Sequence, residues 1–501
     1  MLELAFTPDR SDLQPVYRQL GEYLRGLIAA DRLPRGTKLP ATRELASSLG
    51  LSRNTVTQAY EELIADGVLS AHVGQGTFVA APRTNGAREP AGENAPPHRG
   101  FVWSGLFALR ARALALPASL IMRSDRPVRF DFRGGQVALD ALPVGDLRRA
   151  FTDAIASQLA DIADHQMPLG LLRLRRELAR YLVTRGIACD VADVAVVNGA
   201  QQAIDLVARV LLDPGDGVVM EDPGYFGARL AFEACQANVI PVRVDDEGLR
   251  TDDLARVLRA KRVKLIYTTP AAQSPTGVVM SDLRRRALLG LADEHQVPVL
   301  EDDYDSELRY EGAPIAALKT LDRAGQVVYV GTFSKVLFPG LRLGYVVAAP
   351  PLLEKIALAR WNADVTSGVL TQAALAHLLA TDGLGRHLKR VRAVYAERLR
   401  CMLATLAQVM PTDTHWTSPR GGHSVWVTLP PAVDADLLLQ SALDAGIRYT
   451  PGDVFCGPGR GERHLALSFA NHTPADITAG VTLLGNLMRR QMPGISRRPR
   501  T

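Results

Sequence analysis

The residues best suited to covalent chemistry lie in the stretch GTFSKVLFPGLRLGY, from Gly331 to Tyr345. Lys335 follows an apolar run that predicts a strand, and Arg342 comes seven residues later. A lysine amine can condense with an aldehyde, and an arginine can hold a phosphate through paired hydrogen bonds. The spacing therefore favours a covalently held phosphate cofactor.

Other chemically able side chains follow further apolar runs. EDDYDSE carries Asp302 and Tyr304, EDPGYFGAR carries Tyr225, which could stack on a flat ring, and TTPAAQSPTG turns at Ser274. One more run ends where backbone N–H groups and a helix dipole favour a phosphate. That run is followed by Asn198, Gly199, Ala200 and Gln201.

One chemistry uses all of these groups together. A carboxylate pairs with a protonated pyridine nitrogen, a phenol hydrogen-bonds the ring hydroxyl, and a lysine forms a Schiff base with the aldehyde. The cofactor with these groups is pyridoxal 5′-phosphate (PLP). Singly, each signal is weak, because a lysine after a strand is usually a surface residue, and an acidic run is usually a solvated turn or sometimes a metal site. Their joint occurrence favours PLP.

The elements that must position these residues are predicted as strands alternating with helices from about Asp131 onward. GVVMED, VKLIYTT, VPVLEDD, QVVYVGT and LGYVVAA are typical of short buried strands. Such alternation predicts an α/β domain with a mostly parallel sheet and helices on both faces. Ligands of these sheets bind at the carboxyl ends of the strands, where the residues above fall.

The first eighty residues predict a different domain. Apolar residues at helical spacing indicate a first helix, TRELASSLG a second that ends at Gly50, and Ser52 begins a third. Helices joined by a tight turn indicate a helix-turn-helix, and VLSAHVGQGTFVA predicts a two-stranded wing. A helical cap domain with a polar surface is the alternative, but it does not account for the wing.

The third helix carries outward side chains of the kind that read base edges or contact phosphates. They are Arg53, Asn54, Thr55, Thr57 and Gln58. This face predicts binding to double-stranded DNA through the major groove.

Composition sets broader limits. The chain has 501 residues, enough for two or more domains, and a modest net charge of +5. Its four cysteines show no CxxC spacing, which argues against disulfides or a zinc site and fits a reducing compartment. Neither a secretory signal nor an apolar stretch of the roughly 20 residues that span a bilayer is predicted. We therefore expect a cytoplasmic protein with no metal and no membrane association.

Pro15 to Val79 resembles the winged helix of the GntR family of bacterial repressors, and residues 120–490 resemble the fold-type I aminotransferases. This fusion is the layout of the MocR (GabR-like) transcriptional regulators. The resemblance implies a winged helix-turn-helix, mainly α with a β wing, and an α/β PLP-dependent aminotransferase fold type I. It also implies a regulator that senses an amine, an amino-acid-like effector or PLP itself.

The resemblance implies roles for individual residues. Lys335 matches the Schiff-base lysine, Asp302 the partner of the pyridine nitrogen, and Tyr304 the tyrosine near the ring oxygen. The stacking aromatic and the phosphate ligands match Tyr225, Thr332 and Arg342.

On the DNA side, the resemblance implies operator contacts from Arg43, Arg53, Asn54 and Thr55. It places the wing, from His72 through Gly74 to Gly76, near the minor groove. It further implies a head-to-tail homodimer in which each winged helix lies over the partner's large domain.

We predict four segments along the chain. They are a winged-helix DNA-binding domain at 1–80, a flexible linker at 81–118, an aminotransferase-like PLP-binding effector domain at 119–490 and a basic tail at 491–501. Residues 81–100 are rich in Pro, Gly, Asn and Ala, which is typical of a tether. The arginine-rich tail is interpreted as disordered, with added phosphate contact as the alternative.

Three positions depart from the aminotransferase pattern. Ser274 stands where those enzymes usually place an asparagine near the ring hydroxyl. His165 stands where a tyrosine commonly reaches the phosphate of the neighbouring subunit. Ala466 stands where an arginine usually holds the substrate's α-carboxylate. Either the effector lacks an α-carboxylate, or another residue such as Arg229 supplies the charge.

Two alternative functions stay open. A working aminotransferase with a DNA-binding appendage would keep Lys335 and Asp302, although Ala466 argues against efficient turnover of common amino acids. A DNA-binding protein that uses the fold as a cofactor-free dimerisation scaffold would have no need to keep Lys335, Asp302, Tyr304 and Arg342 together.

Overall fold

The computed structural model describes residues 6–9, 15–29, 32–34, 36–66, 68–72, 76–80, 106–108, 110–111, 114–121, 127–164, 168–457 and 459–492. The chain divides into two compact units, Met1–Phe101 and Val102–Thr501. Gly74 of the predicted wing, His165, the predicted tether at 81–100 and most of the basic tail lie outside the described residues.

The described part of the first unit contains three helices and one hairpin. The elements are α1 (Val16–Ala29), α2 (Thr42–Leu49), α3 (Arg53–Ala65), β1 (Leu69–His72) and β2 (Gly76–Val79). The two strands pair antiparallel, with Leu69 opposite Val79. The helices and hairpin are those of the predicted winged helix.

Local sequence explains where these helices begin and end. Gly50 ends α2 in the left-handed region at φ 63°, which glycine adopts readily. The Ser52 side chain caps α3 by accepting the Thr55 N–H at 3.1 Å. Leu24 and Val56 belong to one buried apolar cluster that joins the helices.

Among the described residues of the second unit, eight strands form one mixed sheet in the order β4-β11-β10-β9-β8-β5-β6-β7. The strands are β4 (Val194–Val197), β5 (Gly217–Asp222), β6 (Asn238–Asp245), β7 (Gly248–Leu249), β8 (Val263–Thr268), β9 (Val299–Asp303), β10 (Val327–Thr332) and β11 (Gly344–Val347). Neighbours from β10 to β6 run parallel, whereas β11 and β7 run antiparallel to theirs.

Helices cover both faces of this sheet, as the sequence predicts. The helices of the second unit are α4 (Ala118–Ile121), α5 (Val144–Ser157), α6 (Leu159–Ala163), α7 (Leu172–Thr184), α8 (Ala200–Leu211), α9 (Phe226–Ala234), α10 (Thr251–Ala260), α11 (Asp282–Glu294), α12 (Leu318–Leu321), α13 (Pro350–Asp364), α14 (Val369–Ala380), α15 (Gly383–Val409), α16 (Ala435–Asp444) and α17 (Pro474–Gln491). Met220 of β5 shares a buried cluster with Leu206 of α8, while Val219 shares another with Leu254 of α10. Because strand side chains alternate, these clusters lie on opposite faces.

A smaller antiparallel sheet forms after α15. Its strands are β12 (His415–Trp416), β13 (Ser424–Thr428), β15 (Thr450–Pro451) and β16 (His464–Ser468), in the order β12-β13-β16-β15. Two short strands, β3 (Phe130–Asp131) and β14 (Ile447–Arg448), pair parallel beside it. Trp426 lies opposite Ala466 in the register of β13 and β16. This sheet supplies the second wall of the site described next.

Candidate functional site

A cavity of about 570 Å³ lies at the carboxyl ends of the parallel strands. All nine residues that the sequence predicts as cofactor ligands line it: Ala200, Gln201, Tyr225, Ser274, Asp302, Tyr304, Thr332, Lys335 and Arg342. The structure therefore brings together residues that five different strand ends supply.

Asp302, at the end of β9, is a buried carboxylate that has one oxygen left for a ligand. The Tyr267 hydroxyl donates to its Oδ2 at 2.8 Å. Its Oδ1 is buried and has no hydrogen-bond partner among the described residues. Burial raises the pKa of Asp302 from 3.8 to about 7, and nearby carboxylates such as Asp303 act in the same direction. A cation at Oδ1 would stabilise the ionised form.

Lys335 lies three residues beyond β10 on the same cavity. Burial lowers the pKa of its amine, and the carboxylates of Asp305 and Asp302 oppose that shift. A lower pKa favours the neutral amine, which is the form that attacks a carbonyl carbon. Gly135 lies close to this amine, because a Cβ at that position would be 4.0 Å from the lysine Nζ.

One end of the cavity combines a helix start, hydroxyl groups and a guanidinium group. The helix α8 begins after Gly199, whose φ of 85° is unfavourable for other residues. A Cβ at this position would lie 3.4 Å from Nη2 of Arg342, and the same nitrogen donates to the Asn198 carbonyl at 2.8 Å. The hydroxyl of Thr332 accepts the Ser334 N–H at 3.2 Å. This arrangement suits a phosphate.

Gln201 and Tyr225 form a hydrogen-bonded pair beside this end. The Tyr225 hydroxyl donates to Gln201 Oε1 at 3.0 Å, and Gln201 Nε2 donates to the Gly227 carbonyl at 2.8 Å. Burial raises the pKa of Tyr225 to about 12, so its ring stays neutral. The Gln201 side chain therefore orients the aromatic ring.

Ser274 and Tyr304 meet on another wall. A hydrogen bond from Ser274 lowers the pKa of the Tyr304 phenol, but burial outweighs it and leaves the pKa well above its ordinary value. The turn that carries Ser274 is held by Gln273, whose Nε2 donates to the carbonyl of Pro223 at 2.7 Å.

The acidic run EDDYDSE is divided among separate partners. Glu301 accepts the Leu318 N–H at 2.7 Å at the start of α12. Asp303 and Glu307 both pair with Arg185, at 2.9 and 2.8 Å. Across the ranges that the structure describes, no three His, Cys, Asp or Glu side chains converge as a metal site would require.

In the first unit, Arg43, Arg53 and Asn54 are exposed, and Thr55 and Thr57 are half-buried near the start of α3. The Thr55 hydroxyl lies 2.8 Å from that of Ser52, so it takes part in the helix cap. His72 ends β1, and the position of its side chain is outside the description. DNA contacts by these residues remain predictions.

Comparison with known proteins agrees with both units. The family of bacterial regulatory proteins named gntR matches residues 16–79, and the aminotransferase class I and II family matches residues 135–484. The probable rhizopine catabolism regulatory protein MocR of Rhizobium meliloti is 34% identical over 481 residues, 95% of this chain and 94% of that protein. The HTH-type transcriptional regulator TauR of Rhodobacter capsulatus is 34% identical over 92% of this chain and 94% of its own length.

The chain belongs to the MocR-type regulators of the GntR family. Solved structures agree: LysN, an α-aminoadipate aminotransferase of Thermus thermophilus, matches 78% of this chain and 99% of its own with 32% identity and a TM-score of 0.73. A kynurenine aminotransferase of Pyrococcus horikoshii matches with 31% identity over 78% of this chain and 98% of its own, also at a TM-score of 0.73.

This MocR-type chain is a PLP-dependent transcriptional regulator, with a GntR DNA-binding domain fused to an aminotransferase-like domain. Two features of the cavity fit PLP. The buried Oδ1 of Asp302 has no partner among the described residues and suits a cationic group, and the start of α8 together with Arg342 suits an anion. Within the described ranges, no helix is both long and apolar enough to cross a bilayer.

The structure also locates the departures of this MocR-type chain from the aminotransferases. Ala466 lines the cavity, on β16. Arg229, the proposed substitute for the missing arginine, donates to the Cys456 carbonyl at 3.0 Å and is not among the described residues that line the cavity. Arg229 is therefore poorly placed to supply the charge.

Sequence reasoning missed several residues of the site. Tyr267 was part of a predicted strand, and its hydroxyl contacts Asp302 only because β8 and β9 are neighbours. Arg133 and His423 also line the cavity, but they come from loops that are far in sequence from the strand ends of the large sheet. The doublet Gly134–Gly135 was a usable signal, since glycine pairs often permit close approach to a ligand.

Proposed function

We propose that the second unit is an amine sensor in which Lys335 binds PLP covalently and effector binding alters the affinity of the winged helix for DNA. The convergence of all nine predicted ligands on one cavity carries this proposal. A scaffold without a cofactor would have no reason to line one cavity with a buried lysine, whose pKa burial lowers, and with a buried carboxylate oxygen that lacks a partner in the described structure.

Each side chain has a distinct proposed task. Bound PLP supplies a reactive aldehyde and an electron-withdrawing ring. Asp302 Oδ1 would hold a proton on the ring nitrogen, Tyr304 would donate a hydrogen bond to the ring oxygen, and Tyr225 would contact the ring face. The phosphate is held by the start of α8, by Thr332 and by Arg342.

The proposed sensor takes a small amine or amino-acid-like effector that competes with the Lys335 amine, or PLP itself. We further propose that the chain works as a homodimer in the cytoplasm, because a paired operator requires two winged helices. Light scattering of the full chain tests the dimer, and a monomer mass with and without DNA would contradict it.

The first test is the absorption spectrum of the full chain with added PLP, before and after borohydride. A visible band that reduction fixes to the protein, and that Lys335→Ala lacks, is the expected result. Lys319→Ala is a matched control, because Lys319 pairs with Asp322 at 3.0 Å and lies outside the described cavity lining. No band in the wild type, even with excess PLP, would refute the sensor.

The second test links the units. DNA fragments are first selected from a random pool by the full chain, and their affinity is then measured by anisotropy with and without PLP. We expect a change of about tenfold or more on PLP loading, of the size typical of allosteric coupling. Coupling would be contradicted if the affinity for DNA were the same for the PLP-loaded and the PLP-free chain and did not change when each of a panel of amines was added.

Turnover is the competing function, and retention of Lys335 and Asp302 in one cavity favours testing it. Ala466 removes the charge that would hold an α-carboxylate during both half-reactions. We therefore expect amine binding with little steady-state transamination, measured with several amino donors and keto acids.

A further inference from the structure

A second group of residues borders the cavity beside Gly134 and Gly135. We call it the effector wall, and it consists of Arg133, His423, Ser424 and Ala466. The proposed function assigns no role to its polar members. Two of them, Arg133 and His423, have side chains that can carry positive charge, and they line the same cavity as Lys335.

The charge of Arg133 is already balanced. Its Nε donates to Asp131 Oδ1 at 2.9 Å and its Nη2 donates to Oδ2 at 2.6 Å. A guanidinium group bound by a carboxylate in this two-pronged way has little attraction left for a second anion. Arg133 is therefore the weaker candidate for holding a charged ligand.

His423 differs because one nitrogen is held and the other borders the cavity. Its Nδ1 lies 2.7 Å from Asp305 Oδ2, and its side chain is only 9% exposed. Its Nε2 lies 4.0 Å from the position of a Cβ at Gly134, and none of the described residues makes a hydrogen bond to it. A carboxylate on Nδ1 fixes the orientation of the ring, and both nitrogens of an imidazolium carry hydrogen, so Nε2–H of that form can donate to a ligand.

The surrounding chain fixes this pair relative to the cofactor ligands. Asp305 follows Asp302 and Tyr304 on the same short stretch, and the Tyr304 and His423 rings meet edge to face at 6.2 Å. The Gly422 N–H donates to the Leu308 carbonyl at 2.8 Å, which holds the two loops together. His423 is thus built into the site and is not a surface histidine.

We propose that His423, held by Asp305, binds the carboxylate of an amino-acid effector, in place of an arginine at position 466. The proposal rests on the amine sensor described above and names its ligand class: small primary amines that carry a carboxylate. Ala466 lies opposite Trp426 on β13, whereas His423 precedes that strand. The carboxylate position is therefore displaced along β13 from the place where an arginine at 466 would hold it.

The test compares matched probes on the PLP-loaded full chain. β-Alanine and L-alanine carry a carboxylate, and propylamine is an uncharged-end control of similar size; each Kd is read from the change in the cofactor spectrum. We expect at least one amino acid to bind about tenfold or more tightly than propylamine, the value of one charge-assisted hydrogen bond.

Two substitutions of His423 separate its nitrogens. His423→Asn keeps an N–H near Nδ1 for Asp305 but removes the donor at Nε2, whereas His423→Gln places an N–H near Nε2. We expect the Asn variant to lose the preference for the amino acid, with the Kd of propylamine changed less than about threefold, and the Gln variant to keep part of the preference. Asp305→Asn, which acts through the ring position, should weaken the preference.

The outcomes separate this proposal from the sensor itself. Three results would overturn the carboxylate site. The wild type binds neither amino acid more tightly than propylamine, or His423→Asn keeps the preference for the amino acid, or Arg133→Gln loses that preference instead. PLP content and DNA affinity are measured on every variant, so loss of the sensor is recognised independently. If His423→Asn fails to hold PLP, the Gln and Asp305→Asn variants decide by the same comparison.

Discussion

The two sides of the cavity are built from different kinds of structure. The cofactor side takes its residues from the ends of parallel strands, including Asp302 on β9 and Thr332 on β10, where backbone geometry repeats from strand to strand. The effector wall takes Arg133, His423 and Ala466 from two loops and a separate antiparallel sheet. The cofactor side follows the rule that ligands bind at the carboxyl ends of parallel strands, whereas the effector wall comes from elements outside that sheet.

This difference teaches where specificity can change in the molecule. A new residue on the effector wall should alter which ligand the cavity accepts without disturbing the ends of the parallel strands. The turn that runs from Asp303, the last residue of β9, to Glu307 joins the two sides, because it carries both Tyr304 and Asp305. A substitution that disrupts this turn should alter both the cofactor side and the effector wall. A substitution of one cavity-lining residue should alter only the side to which that residue belongs.

The largest effect is expected from Arg185→Met, which breaks the support of the turn. The Arg185 side chain is 17% exposed and pairs with Asp303 at 2.9 Å and Glu307 at 2.8 Å. Its loss leaves two buried carboxylates without their cation, which costs about 3–5 kcal/mol of unfolding free energy. Denaturant unfolding of the PLP-free chain measures this loss.

Arg180→Met is the matched control, because its side chain is 74% exposed and its pair with Glu177 lies on the surface of α7. We expect a change of at most about 1 kcal/mol there. Equal losses in the two variants would mean that the buried network does not support the turn.

A smaller effect, confined to the cofactor side, is expected from Asp302→Asn. Loss of the charge opposite the ring nitrogen should weaken PLP binding by about 2–5 kcal/mol, measured by equilibrium titration. Binding of amines on the effector wall is then compared at saturating PLP. Unchanged PLP affinity would contradict the proposed pairing at Oδ1.

The same substitution makes a prediction about pH. The folded-state pKa of Asp302 is about 7, above its ordinary 3.8, so its contribution to stability is full at low pH and is lost as the pH rises through about 7. The PLP-free wild type should therefore lose stability between about pH 4 and about pH 7, the interval between the unfolded and folded pKa values. The Asp302→Asn variant should lose less stability over the same pH interval. Part of the pH dependence remains in this variant, because the pKa of Glu301 is also about 7.

Arg342→Ala tests the phosphate end with a ligand that lacks the phosphate. The guanidinium group lies at the start of α8 and lines the cavity. We expect the affinity for PLP to fall by about 1.5–3 kcal/mol, while that for pyridoxal stays the same. A similar loss for both compounds would show that Arg342 supports the fold rather than the phosphate.

The cofactor side was predictable from sequence for a physical reason. Lys335 and Asp302 lie within a few residues of strands that sequence patterns identify, and parallel strand ends meet at one edge. The roles of these residues remain predictions, but their convergence follows from the topology. The parallel sheet and the winged helix were predictable on the same basis, since both rest on local periodicity.

The effector wall was not predictable in this way. Asp305 and His423 are 118 residues apart, and the hydrogen bond between them depends on how the small sheet packs against the turn after β9. The spacing of residues along the sequence does not indicate that packing. Arg229 illustrates the same limit, because its charge is used on loop carbonyls that sequence patterns do not reveal.

Ser274→Asn gives the smallest expected effect, on the boundary between the two sides. Ser274 hydrogen-bonds Tyr304, and a longer amide could reach the ring oxygen of PLP directly. A donor to that oxygen stabilises its ionised form. The midpoint pH of the spectral change of the bound cofactor should therefore fall by about one pKa unit, which corresponds to about 1.4 kcal/mol. A spectral titration measures the shift, with Ser274→Ala as the control that removes the hydroxyl without adding a donor. If the Asn variant instead raised this pKa, Ser274 would act only by orienting Tyr304, and the short side chain would be no departure in function. A shift as predicted, with the amine preference unchanged, would confirm that the two sides can be tuned separately.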